Sequence, residues 1–213
     1  MAQTHVFSKG EEIANSVTHG VGAIMSIVAL VVLMISASLD HNVWYAISVA
    51  LFGSSMFIVY LSSTLVHALP KGKAKDVFEI FDHASIYLFI AGTFTPISLF
   101  LIRGRLGWIL LGIVWGLAIG GVVFKAFLAK KFMFTSTLLY VLMGWLVVIG
   151  WHQITLHFNG NGIALLMAGG ICYTVGAIFY VWRGFPYHHA VWHLFVIAGT
   201  VLQYFSILLY ISP

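Results

Sequence analysis

Charged residues are scarce in this chain, and their scarcity is the first constraint on what it can be. Only 8% of its 213 residues are Asp, Glu, Lys or Arg, whereas soluble domains carry about 25%. Hydrophobic residues make up 61% and fill long runs of roughly 18 or more positions, the length that crosses a hydrocarbon core about 30 Å thick. The chain is therefore predicted to be an integral membrane protein with no room for a separate soluble domain.

Cysteine is nearly absent as well. Cys172 is the only one and lies in an apolar run, so no internal disulfide can form and no zinc site can be closed by cysteines. The N-terminus lacks a basic segment leading into a short apolar core and a cleavage site, so a cleaved signal peptide is not expected. The net charge of +4 lies in short loops that orient a chain in a bilayer, and nucleic-acid binding is not expected.

Seven apolar segments predict an all-α, polytopic bundle of seven transmembrane helices. The breaks between them are short and rich in Gly, Pro, Asn or charge, so neighbouring helices are expected to pack antiparallel. We expect residues 1–16 to form a cytoplasmic N-terminal segment and residues 17–213 to form a single domain. The predicted spans are 17–39, 43–66, 82–102, 107–128, 135–156, 162–182 and 189–210.

The Lys and Arg residues divide unevenly between the two sides of this bundle. One side carries only Arg103 and Arg105, and the other carries eight. Because Lys and Arg concentrate in cytoplasmic loops, the N-terminus is predicted to lie in the cytoplasm and the C-terminus outside. The eight residues on the cytoplasmic side are Lys9, Lys71, Lys73, Lys75, Lys125, Lys130, Lys131 and Arg183.

A stripe of small residues runs along the fourth span at Gly112, Gly116 and Gly120. Missing side chains at this spacing let a second helix approach closely. The stripe is therefore predicted to be a packing surface, and no dinucleotide-binding loop is expected because no strand precedes it.

Histidines and a carboxylate are predicted to meet at the cytoplasmic end of the bundle. His189 and His193 are one turn apart on the seventh span, and Ser63 and His67 are one turn apart on the second. Asp82 opens the third span. An ionisable group in a membrane helix costs about 2.5–3.5 kcal/mol at its centre, so several at one depth need a joint explanation.

That joint explanation is a metal site. Three imidazoles with an open fourth position are typical of catalytic zinc, which lowers the pKa of water to about 7. His67, His189 and His193 are the predicted ligands. Asp82 is expected to orient the attacking water and accept its proton, and Ser63 to donate to the oxyanion of a carbonyl under attack.

A second polar cluster precedes the first span. Glu12, Asn15 and His19 share one helical face at spacings of three and four, on the same side as the predicted ligands. One interpretation is that they support the metal site. The other is an amphipathic helix start solvated by lipid headgroups.

Four ordered motifs carry a family resemblance. ExxNxxTH at 12–19, SxxxH at 63–67, FxxxD at 78–82 and HxxxH at 189–193 resemble the signature of the progestin and adipoQ receptor (PAQR) family. EEIANSVTHG and PYHHAVWHLF resemble its bacterial hemolysin III, or TrhA-like, branch. The resemblance implies a seven-helix bundle, zinc on the three histidines, water held by Asp82, and a multi-pass protein of the bacterial plasma (inner) membrane.

The resemblance also suggests functions. Its wider superfamily includes alkaline ceramidases, so the first expectation is a zinc-dependent hydrolase of a lipid amide, acting on a membrane lipid or fatty acyl substrate in membrane lipid homeostasis. The alternatives are a hemolysin, cytolysin or channel-forming protein, and a non-catalytic membrane-state sensor or receptor with structural zinc. This chain lacks the long N-terminal region of the animal receptors, and Gln203 stands where many bacterial relatives are expected to carry histidine. The oligomeric state is left open.

Overall fold

The computed structural model describes residues 7–128 and 132–211, and every regular element in these two ranges is helical. Seven helical segments there are long and apolar enough to cross a membrane, which confirms the all-α, seven-span prediction. The orientation stays a prediction, and Lys130 and Lys131 lie outside the described ranges. The helices are α1 (Lys9–Asp40), α2 (Val43–Ala68), α3 (Lys73–Ile97), α4 (Gly104–Leu128), α5 (Met133–Trp145), α6 (Trp151–His157), α7 (Gly160–Val181) and α8 (His188–Tyr210).

Two helices begin well before the predicted spans. The first starts at Lys9, where the Ser8 hydroxyl accepts from the Glu11 N–H and the Glu11 carboxylate accepts from the Ser8 N–H. This capping box satisfies backbone donors that a helix start leaves unpaired. The third starts at Lys73, so Asp82 lies inside α3 instead of opening it. Hydropathy marks the membrane core, and these polar first turns extend beyond it.

Two spans contain irregular turns near the end predicted to be outside. A π-helical segment, Ser98–Ile102, extends α3 after Pro96, whose missing N–H interrupts the α-helical ladder. A 3₁₀ segment, Leu146–Gly150, joins α5 to α6. Gly150 allows a close approach there, because a Cβ atom on it would lie 2.5 Å from the Ile102 side chain.

The order of packing explains how residues from both ends of the chain meet. α3 is the most enclosed span, with 72% of its apolar window buried. α1 packs against α2 and also against α8, so the first and last helices are neighbours. Side chains from α1, α2 and α8 can therefore share one site.

The glycine stripe on α4 faces away from the rest of the described chain. Nothing lies within 4 Å of a Cβ atom placed on Gly112, Gly116 or Gly120, so the expected close approach of another helix of this chain is not found there. Glycines elsewhere on α4 do pack closely: a Cβ atom on Gly121 would lie 2.5 Å from the Tyr87 ring, and one on Gly107 would meet the Ser98 carbonyl oxygen. Spacing alone shows that small residues share a face but does not show which way the face points.

Candidate metal centre

Three histidines converge at the end of the bundle predicted to be cytoplasmic. His67 lies in the last turn of α2, while His189 and His193 lie in the first two turns of α8. One ring nitrogen of each lies within 4.8 Å of the others, and the group is buried, although His189 as a whole residue is half-buried. The structure thus brings together the three side chains predicted as ligands, and the group could hold a metal ion.

The start of α8 is held in place by the start of α1. Tyr187, the residue before α8, has a left-handed backbone with φ 62°, and its N–H donates to Glu11 Oε1 at 3.0 Å. From this fixed start the helix presents His189 and His193 one turn apart, with ring centroids separated by 4.6 Å. The N-terminal turn of the chain therefore sets the position of two of the three ligands.

Hydrogen bonds at Nδ1 orient two of the rings. His67 Nδ1 lies 2.6 Å from Glu12 Oε2, and His193 Nδ1 lies 3.1 Å from the Asn15 carbonyl oxygen and 3.0 Å from Thr18 Oγ1. Because a carboxylate and a carbonyl only accept, each Nδ1 carries the proton and each Nε2 keeps its lone pair. Metal-ligating histidines are commonly held in this way.

The donor set fits a transition-metal ion. The Nε2 atom of His67 is buried and has no hydrogen-bond partner among the described residues, a costly state unless something else binds it. Zinc takes imidazole nitrogens at about 2.0–2.1 Å in tetrahedral geometry. Imidazole also suits copper, iron and nickel, so the donors favour a transition metal over magnesium or calcium.

The two predicted catalytic residues lie on α3 and α2, and their catalytic role stays a prediction. Asp82 is half-buried on α3 and does not belong to the three-ligand group. Its carboxylate interacts electrostatically with the Tyr140 and Tyr180 hydroxyls, and the Tyr180 ring lies 5.6 Å from that of His189. Ser63 is buried one turn before His67 on α2.

The supporting cluster packs into the site instead of facing lipid headgroups. Asn15 and His19 are buried, with 0% and 4% exposure. The His19 ring stacks on that of His193 with centroids 3.4 Å apart, and it meets the Tyr60 ring edge-on at 5.0 Å. The amide of Asn15 and both ring nitrogens of His19 have no hydrogen-bond partner in the described part of the chain.

Two residues at the site, Phe7 and Tyr180, could not be identified from any pattern in the sequence. The Phe7 ring lies 5.0 Å from that of His189 and 5.7 Å from that of His67, covering the group from the N-terminal side. Tyr180 contacts His189 from α7, and its hydroxyl lies 3.1 Å from His83 Nε2. Neither residue shares a helical spacing with a ligand, so only the folded structure reveals them.

An apolar cavity of about 140 Å³ lies between α3, α5, α7 and α8. Its lining includes Ile86, one turn after Asp82, and Trp192, which precedes His193 in the chain. It extends to Gln203, two turns further along α8 than Val196. The lining thus comes within one turn of Asp82 along α3 and within one residue of His193 along α8, although neither of these residues lines the cavity, and it extends from there towards the opposite side of the membrane.

The chain is similar to known proteins of one family along nearly its whole length. The family model described as haemolysin-III related matches residues 7–204. The chain is 48% identical to Hemolysin-3 of Bacillus cereus over 95% of this chain and 93% of that protein, and 48% identical to the Hemolysin-3 homolog of Bacillus subtilis (strain 168) over 96% of each. It is 28% identical to the human monocyte to macrophage differentiation factor over 95% of this chain and 86% of that one. No solved structure matches it significantly.

Proposed function

The chain belongs to the haemolysin-III related family, and from that membership and the histidine group we propose that it is a zinc-dependent hydrolase of a lipid amide. The resemblance to PAQR proteins is confirmed by the family match, and the protein is a multi-pass integral membrane protein. The observation that carries the proposal is the convergence of three buried imidazoles, with no fourth protein ligand among the described residues. An open position is what separates catalytic from structural zinc sites.

Each residue of the site has a separate role in the proposed reaction. His67, His189 and His193 hold the ion. When bound, zinc supplies Lewis acidity that lowers the pKa of water to about 7 and polarises a carbonyl group. The Asp82 carboxylate accepts the proton of the attacking water and passes it to the leaving amine. The Ser63 hydroxyl donates a hydrogen bond to the carbonyl oxygen as negative charge develops there.

The cavity supports a substrate with a hydrocarbon chain. Its volume of about 140 Å³ is near the roughly 150 Å³ of an engineered apolar cavity that binds benzene, so it has room for a segment of one acyl chain. Because its lining includes Ile86, one turn after Asp82, and Trp192, the residue before His193, a lipid chain lying in it would have its amide carbonyl on the side of the histidine group. Turnover of such lipids would give the protein a part in membrane lipid homeostasis.

Metal content and lipid turnover together test the proposal. We expect the purified wild-type protein to hold one zinc ion per chain and to release fatty acid from a short-chain fluorescent N-acyl sphingosine in detergent micelles. Asp82→Asn should keep the metal and lose most of the turnover, whereas His67→Ala should lose both. Full metal occupancy without turnover of this probe or of any lipid in a membrane extract would refute the hydrolase and indicate a zinc clamp between α2 and α8.

The name of the Bacillus cereus relative supports a second candidate, a membrane-lysing protein. Such a protein needs a polar path, and the described spans expose large apolar side chains along their outer surfaces. The two candidates separate in one assay, dye release from liposomes. Release by the wild type that persists in His193→Ala would favour lysis, and its absence from both proteins would favour hydrolysis.

A further inference from the structure

The Glu12 carboxylate lies between two basic groups from different elements. One oxygen is 2.6 Å from His67 Nδ1, at the end of α2, and the other is 2.6 Å from Lys75 Nζ, in the first turn of α3. The Lys75 ammonium also lies 3.5 Å from the Leu69 carbonyl oxygen, in the connection between these helices. A carboxylate on α1 thus joins the first turn of α3 to one ligand of the histidine group.

This contact selects the form of His67 that can bind a metal. A neutral imidazole carries one proton, and a proton on Nε2 would block the atom that faces the other two histidines. Bonding of Nδ1–H to a carboxylate holds the proton on the other side of the ring and raises the basicity of the ligating nitrogen. His193 has only the neutral Asn15 carbonyl oxygen and Thr18 hydroxyl at the corresponding position.

Lys75 controls how firmly the carboxylate stays in place. The Glu12 side chain is 24% exposed and that of Lys75 is 22% exposed, so water competes for both, whereas that of His67 is only 6% exposed. The ammonium holds one carboxylate oxygen and leaves the other aimed at the ring. Loss of the ammonium would free the carboxylate to turn towards water, and the orientation of His67 would weaken with it.

We propose that Glu12 is the positioning residue of His67, and that Lys75 acts through Glu12, so that the first turn of α3 sets the metal affinity of the centre. The proposal rests on the metal-binding part of the proposed function and not on hydrolysis. Removal of a carboxylate that supports a metal ligand typically lowers metal affinity about 10–100-fold. Removal of a partly exposed ion-pair partner has a smaller effect, here about two- to five-fold.

A double-mutant cycle on metal affinity tests this arrangement. The full-length protein in detergent micelles is titrated with zinc against a fluorescent chelator, and the Co²⁺-loaded protein is followed by its visible absorption bands. Glu12→Gln should weaken zinc binding about 10–100-fold and shift the Co²⁺ bands. Lys75→Met should weaken it about two- to five-fold, Lys75→Arg should restore it, and Lys73→Met, at an exposed position in the same turn, should leave it unchanged.

The decisive comparison is the double variant. If Lys75 acts through Glu12, Lys75→Met adds no further loss of affinity in the Glu12→Gln background. A Glu12→Gln affinity within twofold of the wild type would overturn the proposal, as would an undiminished Lys75→Met effect in the double variant. If Glu12→Gln does not fold, the zinc affinities of Lys75→Met and Lys75→Arg still show whether Lys75 influences the metal affinity of the centre. If the zinc affinities are as expected but no lipid is hydrolysed, the result refutes the proposed hydrolase and leaves the role of Glu12 and Lys75 in metal binding intact.

Discussion

A single methyl group at Gly121 should destabilise the bundle, because the structure leaves no space for it. The Cβ atom of an alanine there would lie 2.5 Å from Cγ and Cδ1 of Tyr87, closer than real side chains approach. These atoms belong to the base of the ring, which a rotation of the side chain cannot clear. The Tyr87 ring is itself buried and packs 4.5 Å from that of Tyr140. We therefore expect the helices to shift instead of the ring alone.

The magnitude follows from comparison with the neighbouring glycine. Overpacking of this kind costs about 1–3 kcal/mol. At Gly120 a Cβ atom meets nothing within 4 Å, so Gly120→Ala should gain about 0.5–1 kcal/mol from helix preference alone. The two variants add the same methyl group to the same helix, so the gain in helix preference is common to both, and their free energies of unfolding should differ by the packing cost alone, about 1–3 kcal/mol.

Unfolding in mixed micelles of increasing SDS content, followed by tryptophan fluorescence, measures this difference. Gly121→Ala should unfold at a lower SDS fraction than the wild type, and Gly120→Ala at an equal or higher one. Equal midpoints for the two alanine variants would refute the packing of α4 against α3. The Tyr140 hydroxyl donates to the His83 carbonyl oxygen beside Asp82, so Gly121→Ala should also lower any lipid turnover.

Two further predictions concern the interior and the cover of the site. The Thr200 hydroxyl lies 2.7 Å from the Tyr60 hydroxyl and 3.0 Å from that of Tyr173, so Thr200→Val should leave buried hydroxyls unpaired and cost about 1–3 kcal/mol in the same unfolding assay. Thr200→Ser keeps the bonds and should stay near the wild type; equal losses in both variants would contradict the network. Phe7→Ala should speed removal of bound metal by EDTA several-fold because the ring covers the histidines, while Phe127→Ala, at an 82% exposed position, should not. Identical EDTA rates in Phe7→Ala and the wild type would show that the ring is no barrier.

The spans and the convergence of the three histidines could be predicted from the sequence, because both depend on regular spacing. Apolar runs mark the membrane core, and the i, i+4 pair of His189 and His193 places two imidazoles on one face whatever the rest of the fold does. The Glu12–Lys75 contact joins residues 63 positions apart, and no local pattern records it. In the sequence, Lys75 indicates only a cytoplasmic loop, as one of the charges that orient the chain.

The role of the glycine stripe and the position of Asp82 within its helix could not be predicted, because the first depends on which way a helix face points and the second on where the helix begins. Gly120, the last residue of the stripe, and Gly121, which packs against Tyr87, are adjacent in the chain and point about 100° apart around the helix. Only the packed bundle shows which of the two faces meets a neighbouring helix. The apolar run that predicts the third span begins at Asp82, after a charged segment, and therefore predicts Asp82 at a helix start. Those residues in fact form the first turns of α3, with Asp76 favourably placed near the positive end of the helix dipole.

The adjacency of α1 and α8 bears on how the protein is made. Membrane helices leave the ribosome in order, and the candidate metal centre combines Glu12 from α1 with two predicted ligands, His189 and His193, from α8. A chain truncated before His188 retains the His67 ligand but lacks the other two. Metal retention would therefore report that insertion is complete, and the captured ion would stabilise only the finished bundle by mass action. Pulse-labelled chains stalled before and after α8 would show when zinc first becomes resistant to chelation.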